Sequence, residues 1–325
     1  MLDGFIRLAE IDEDIPQLIV CLRDFLIPTL FAKGIVRPED YYQEVKRYRG
    51  HPMAKAGLEL ALWDLQAKKA GVPLSKLYGG TRQDIEVGVS MGIEKTIPEL
   101  LERIMSFIGE GYGRIKLKIK PGWDIQVVKE VRKHFPDILL QTDANGAYSL
   151  KDKAGLKMLD AFNLLLLEQP FPPYDLWDHS RLQKEMKTPL CLDESIISEV
   201  TARQALEMKS CRIFNIKVGR VGGLVEARKI HDVCRREGAP VWCGGMLESG
   251  IGRAHNLHLA SLPNFSLPHD LSASRRYYQE DIIDPFIELS GPGTIRVPDG
   301  PGIGVNPVAA RIARATVRRE EFRPS

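Results

Sequence analysis

A chain of 325 residues is long enough for one barrel-sized domain and a smaller one. Hydrophobic residues make up 44% and charged residues 27%, and 45 Lys and Arg stand against 43 Asp and Glu for a formal net charge of +2. That is the composition of a soluble globular protein, and it argues against nucleic acid or an anionic membrane surface as partner.

The start, MLDGFIRLAEIDED, lacks the basic-then-apolar layout of a signal peptide. Helical periodicity follows in IPQLIVCLRDFLIPTL, RPEDYYQEVKRYRG and HPMAKAGLELALWDLQAKKAG. These assign residues 1–83 to a mainly helical capping domain. From residue 85 onward short apolar runs alternate with amphipathic stretches: IEVGVSMG (85–92), RIKLKI (114–119), ILLQTD (138–143), NLLLLE (163–168), PLCLDE (189–194), RIFNIK (212–217), PVWCGG (240–245) and NFSLPHD (264–270). Strands separated by single helices must be parallel, and continuous apolar runs fit strands covered on both faces. Eight strands and seven intervening helices predict an α/β protein with a (β/α)8 barrel over residues 84–272. Beyond it the alternation stops and Gly and Pro punctuate the chain, so residues 273–325 are expected to pack back towards the capping domain. The most apolar run, Leu164–Leu167, is far shorter than the ~20 residues of a spanning helix. Five cysteines, Cys21, Cys191, Cys211, Cys234 and Cys243, show no CxxC spacing. Buried, reduced thiols in a cytoplasmic protein are expected.

The strand ends carry the chemistry. Asp143, Glu168 and Asp193 close three successive strands at 25-residue steps, one βα unit each. In such a barrel the C-terminal rim is where active sites form. Three converging carboxylates repel one another unless a cation neutralises them, and oxygen ligands suit a hard divalent ion, Mg2+ first. The competing reading is that strand-end acids cap the next helix, as Asp193 followed by Glu194 and Ser195 could.

Lys118 lies 25 residues before Asp143, and Lys217 lies 24 after Asp193, so the two flank the acidic arc from opposite sides of the ring. In GRIKLKIKPGWD the lysines alternate with Ile115, Leu117 and Ile119. In a closed barrel the apolar face meets the helices and Lys116 and Lys118 point inward, while Lys120 falls in the loop. An amine on each side of an ion-held substrate suits removal of a proton next to a carboxylate. A lysine base must fall from about 10.4 to about 7 or 8, which burial, a metal ion and cations such as Lys116 or Arg220 favour.

These residues, in KLKIKPGWD, LLQTDANGAY, LLLLEQPF, PLCLDESI, FNIKVGRVGGLVEARKIHDVC and VWCGGMLESGIGRAHNLHLASLPNFSLPHDLSAS, resemble the enolase superfamily. More narrowly they look like its muconate-lactonising subgroup, in the branch of o-succinylbenzoate synthases and N-acylamino acid racemases, from about Ile15 onward. The resemblance implies Asp143, Glu168 and Asp193 as ligands of Mg2+, or of another divalent cation such as Mn2+, and Lys118 and Lys217 as the acid/base pair. It places Lys116 and Asn145 near the substrate carboxylate and the metal, and lines the pocket with the GGMLESG turn, including Gly245, Met246 and Glu248.

The implied reaction is dehydration through an enediolate in menaquinone biosynthesis: Lys118 takes the proton and assists syn loss of hydroxide while Lys217 stabilises the intermediate. In racemisation the two lysines would exchange a proton on either face. Arg220 matches an arginine of the racemising branch and would depress Lys217. Alternatives are a racemase alone, a muconate-type cycloisomerase, or an inactive metal-binding homologue. The resemblance also implies a small carboxylate substrate and a homo-oligomer. Members normally begin with a strand-rich segment of several tens of residues that closes over the substrate; only about 14 residues precede the first matching helix, so a shortened N-terminus is expected.

Overall fold

The computed structural model describes residues 15–323; the expected N-terminal shortening concerns residues outside these. From Ile15 to Tyr78 the elements are all helical: Ile15–Cys21 (α1) passes through a π-turn, Leu22–Leu26, into Ile27–Ala32 (α2), followed by Pro38–Val45 (α3), Pro52–Ala70 (α4) and Leu74–Tyr78 (α5). Proline opens α3 and α4, where its missing N–H is one the helix does not use. Leu26, Tyr41, Val45, Ala54 and Leu62 give these helices a small core of their own.

The run Ile15–Ala32 is 18 residues long and, by length and composition alone, apolar enough to cross a bilayer. The reading of Leu164–Leu167 as the most apolar run passed over this longer, less apolar stretch. Arg23 and Asp24 hid it: they split the apolar stretch at its middle, and they pair with each other at 2.6 Å.

Seven parallel strands form one sheet in chain order. They are Val89–Met91 (β2), Arg114–Lys118 (β3), Leu139–Asp143 (β4), Leu166–Glu168 (β5), Leu190–Leu192 (β6), Ile213–Ile216 (β7) and Val241–Cys243 (β8). Between them run Ile97–Gly109 (α6), Ile125–His134 (α7), Lys153–Lys157 (α8), Leu176–Glu185 (α9), Glu199–Met208 (α10), the pair Val218–Val221 (α11) and Leu224–Arg236 (α12), and after β8 Gly250–Ala260 (α13).

The structure departs from eight strands at both ends of the series. The first run splits, and its start, Asp84–Glu86 (β1), leaves the barrel to pair antiparallel with Thr294–Arg296. The eighth, 264–270, is not a strand but a set of bridges, because Pro268 interrupts it and cannot donate. It still closes the ring: Asp270 N–H bonds Cys243 O at 3.0 Å, and His269 N–H bonds Glu86 O at 2.9 Å.

Alternation in β3 is as expected. Ile115, Leu117 and Ile119 join Val127, Val128 and Val131 of α7 in the core between sheet and helices. Leu166, Cys191, Ile213 and Trp242 form a separate apolar cluster; the Lys116 Nζ stands 4.9 Å over the Trp242 ring, inside the barrel. Lys120 is exposed in the loop. After the barrel the chain returns to the N-terminal helices, where Gly302 O accepts from Leu74 N–H at 2.7 Å and Asp64 Oδ1 from Ile303 N–H at 2.8 Å.

Candidate active site

Strand register brings the charged residues together. Lys118 pairs in register with Asp143, and Asp143 with Glu168, so β3, β4 and β5 present their ends side by side. Lys118 Nζ lies 2.9 Å from Asp143 Oδ2 and donates to Asn145 Oδ1. Asn145, held at positive φ, passes the chain of bonds on: its Nδ2 donates to Glu194 Oε1 at 2.8 Å. Lys116, one turn of the pleat deeper, sits among Asp270, Glu168 and Asp143 at 2.8, 2.9 and 3.2 Å. Burial penalises its ammonium, but these three carboxylates outweigh that and hold it well above the usual lysine value.

On the far side, Lys217 follows β7 and its Nζ lies 2.9 Å from Asp193 Oδ2, while the Arg220 guanidinium donates to Asp193 Oδ1. Asp193 is therefore flanked by two cations. It does not cap α10, whose N-cap is Ser198 with Thr201 N–H on its hydroxyl. Strands β3 and β7 stand four apart in the sheet, with β4, β5 and β6 between. The two lysines differ in access: the Lys118 side chain is 24% exposed and that of Lys217 only 4%.

Glu168 is fully buried and carries the strain of the arrangement. Burial, then repulsion by Asp143 and Asp193, push its carboxyl up to about 8 despite Lys116 and Lys217. Burial with Asp193 and Asp143 likewise raises Glu194 to about 7, and its buried Oε2 has no hydrogen-bond partner among the described residues. Among those residues no group of three or more His, Cys, Asp or Glu converges as a ready-made metal cage. The lysine and arginine cations stand on the carboxylates instead.

The turn after β8 is built by close approach. A methyl group on Gly245 would collide with Asp270 O, so only glycine lets this turn lie against the closing segment. Glu248 accepts from Met246 N–H at 2.9 Å and from Asn256 of α13 at 2.9 Å, which ties the turn to the helix that follows it. Gly245 thus lies against Asp270, a partner of Lys116, while Met246 and Glu248 are tied to each other.

Several residues not singled out in the sequence hold this site. Asp270 takes Lys116, Arg114 at 2.7 Å and the Ser90 hydroxyl at 2.7 Å. Asn215 donates to Glu168 Oε1 at 2.7 Å. Gln169 locks two loops together: its Oε1 accepts from Asp193 N–H at 3.0 Å, and its Nε2 donates to Ser195 Oγ at 2.8 Å and Phe171 O at 3.0 Å.

His179 fixes the same loop from α9. Its Nε2 accepts from Phe171 N–H at 3.2 Å, so the proton sits on Nδ1, 2.5 Å from Asp175 O. Burial pushes this imidazole down to about 4. Its folded pKa lies below the unfolded 6.5, so its contribution is fully present above about 6.5 and is lost as pH falls towards 4, at about 1.4 kcal/mol per pH unit. In NMR spectra the His179 ring should keep neutral shifts from pH 8 down to 5. A midpoint near 6.5 would contradict the buried Nδ1–H tautomer.

Comparison with known proteins finds relatives of the same fold over most of the chain. Residues 99–311 match the family described as enolase C-terminal domain-like, and residues 16–79 match the mandelate racemase/muconate lactonizing enzyme N-terminal domain. An o-succinylbenzoate synthase of Geobacillus stearothermophilus is 55% identical over 91% of this chain and 78% of its own. An N-succinylamino acid racemase of Amycolatopsis is 48% identical over 92% of this chain and 81% of its own. A solved enolase-superfamily member from Listeria innocua superimposes with a TM-score of 0.90 at 42% identity, covering 95% of this chain and 82% of that one. The chain belongs to the enolase superfamily, in the group of mandelate racemase and muconate-lactonizing enzymes.

Proposed function

We propose that this chain is an o-succinylbenzoate synthase that also racemises N-acylamino acids, with Lys118 and Lys217 moving protons on opposite faces of a small carboxylate substrate. The observation that carries the reading is the pairing of each lysine with a different end of one acidic arc, Lys118 with Asp143 and Lys217 with Asp193. Relatives bearing both names, at 55% and 48% identity, support it.

The donor set fits a hard divalent cation: Asp143, Glu168 and Asp193 offer only oxygen, mutual repulsion and burial raise the Glu168 carboxyl even with Lys116 beside it, and Glu194 has a buried Oε2 without a hydrogen-bond partner among the described residues. Mg2+ or Mn2+ held by Asp143, Glu168 and Asp193 would supply Lewis-acid stabilisation of charge developing on the substrate carboxylate. The chain's own residues do the proton work. Lys118 as free amine takes the α-proton and, as ammonium, returns it to the departing hydroxyl, so that water leaves from the same face. Lys217 stays an ammonium in that reaction and stabilises the negative charge. In racemisation one lysine removes the proton and the other delivers one to the opposite face.

The test is hydrogen exchange at the α-carbon of an N-succinyl amino acid in D2O with Mg2+, beside dehydration of the synthase substrate. Folded protein that does neither sinks the reading. Arg220 bears on the balance between the two reactions, because it shares Asp193 with Lys217. Arg220→Gln should lower racemisation more than dehydration; equal losses, or none, would remove this role from it.

A further inference from the structure

Helix α12 has no N-cap side chain of its own, because Gly223 occupies that position at φ 132°. Its acceptor comes from another part of the chain. Glu59, on α4, is completely buried, and its Oε1 accepts from Val225 N–H at 2.8 Å and from the Trp63 indole at 3.3 Å. A methyl group on Gly223 would collide with the Glu59 carboxyl. The carboxylate therefore stands where the missing cap would be, and the glycine is the space it needs.

The segment so held carries the buried half of the site. Lys217 is the N-cap residue of α11 and Arg220 lies within it. The α11 turn is tied straight into α12, with Gly223 N–H on Val218 O at 3.0 Å. Helix α4 covers it from outside: a methyl group on Gly219 would touch Met53, and one on Gly222 would touch Pro52. Thus α11 lies between α4 and the first turn of α12, and Glu59 fastens those two walls. Lys118 stands on β3, four strands from β7.

We propose that Glu59 is a positioning residue for Lys217 and Arg220: by capping α12 from α4 it sets where the α11 turn sits against Asp193. The role rests on the racemase reading above, in which each lysine serves one enantiomer. Burial holds the Glu59 carboxyl up at about 7 against the pull of the Val225 amide, so a neutral amide that still accepts is a fair replacement. Glutamine keeps the reach and the acceptor, whereas aspartate keeps the charge and loses the reach.

The experiment measures α-hydrogen exchange into D2O separately for the two enantiomers of an N-succinyl amino acid with Mg2+, in the wild type, Glu59→Gln, Glu59→Asp and Glu59→Ala. Lys118→Ala and Lys217→Ala assign each enantiomer to its lysine. Glu59→Asp and Glu59→Ala should slow the Lys217-dependent enantiomer about tenfold more than the other, the size of a lost helix cap, through kcat and not KM, and Glu59→Gln should restore it. Equal slowing of both enantiomers, or no rescue by glutamine, overturns the role. Amide hydrogen exchange gives an arm independent of activity: Val225 and the α11 amides should exchange about tenfold faster in Glu59→Asp. Unchanged protection there overturns the proposal even if the wild type proves active, whereas a wild type that exchanges neither enantiomer but shows the expected loss of protection overturns only the catalytic reading.

Discussion

Replacing Lys118 by alanine should lower kcat/KM for dehydration about 100-fold to 10,000-fold or more, the range for loss of a general acid or base, and replacing Lys217 should do the same to α-hydrogen exchange of the enantiomer it serves. The two losses have different structural company. Lys118 is partly open and shares Asp143 with Lys116, so its removal leaves that carboxylate still neutralised. Lys217 is buried on Asp193 beside Arg220, so Lys217→Ala removes one of two cations from a buried acid and should also lower stability. Thermal unfolding separates the two effects. A Lys217→Arg enzyme sharpens the test: it restores the charge on Asp193 but brings a guanidinium that does not give up its proton near neutral pH. If Lys217 is only a structural ion-pair partner, Lys217→Arg is active; if it serves as a base, it is folded and fails to exchange the Lys217-dependent enantiomer.

That experiment concerns residues whose placement the sequence shows directly. Spacing of 24 and 25 residues between acids and lysines is a property of the repeat, and alternation in RIKLK assigns the inner face, because a barrel strand has only two. Asn215 was open to the same argument: it stands two residues before Lys217, as Lys116 does before Lys118, and it reaches Glu168. Asp270 and Ser90 were not. They meet across 180 positions, at the seam where the barrel closes, and the closing segment is a set of bridges whose register no periodicity reveals. Gln169 acts through a backbone φ of 37° that no neighbouring residue announces. Glu59 sits in a helix whose apolar residues are spread around it with little amphipathic bias, and its role exists only because a glycine elsewhere leaves space for it. The seam also explains the miscounted strand, since NFSLPHD has the apolar content of a strand and a proline that prevents it from being one.

Lys116→Met should destabilise the protein by about 3 to 5 kcal/mol, the cost of stranding buried charge, and lower the melting temperature by roughly 5 to 10 °C. Lys116 reaches Asp270, Glu168 and Asp143 together, at 2.8, 2.9 and 3.2 Å, and its side chain is 3% exposed. Methionine fills much the same volume, so a cavity does not account for the loss. The cause can be isolated by adding Asp270→Asn, which removes one of the stranded charges while Arg114 and Ser90 keep polar partners on the amide oxygen. If the penalty is uncompensated negative charge, the double variant is more stable than the sum of the two single losses predicts, by about 1 to 3 kcal/mol in urea unfolding. Strict additivity would mean that Lys116 holds the barrel interior by packing its stem against Trp242, and that the carboxylates around it are neutralised by protons.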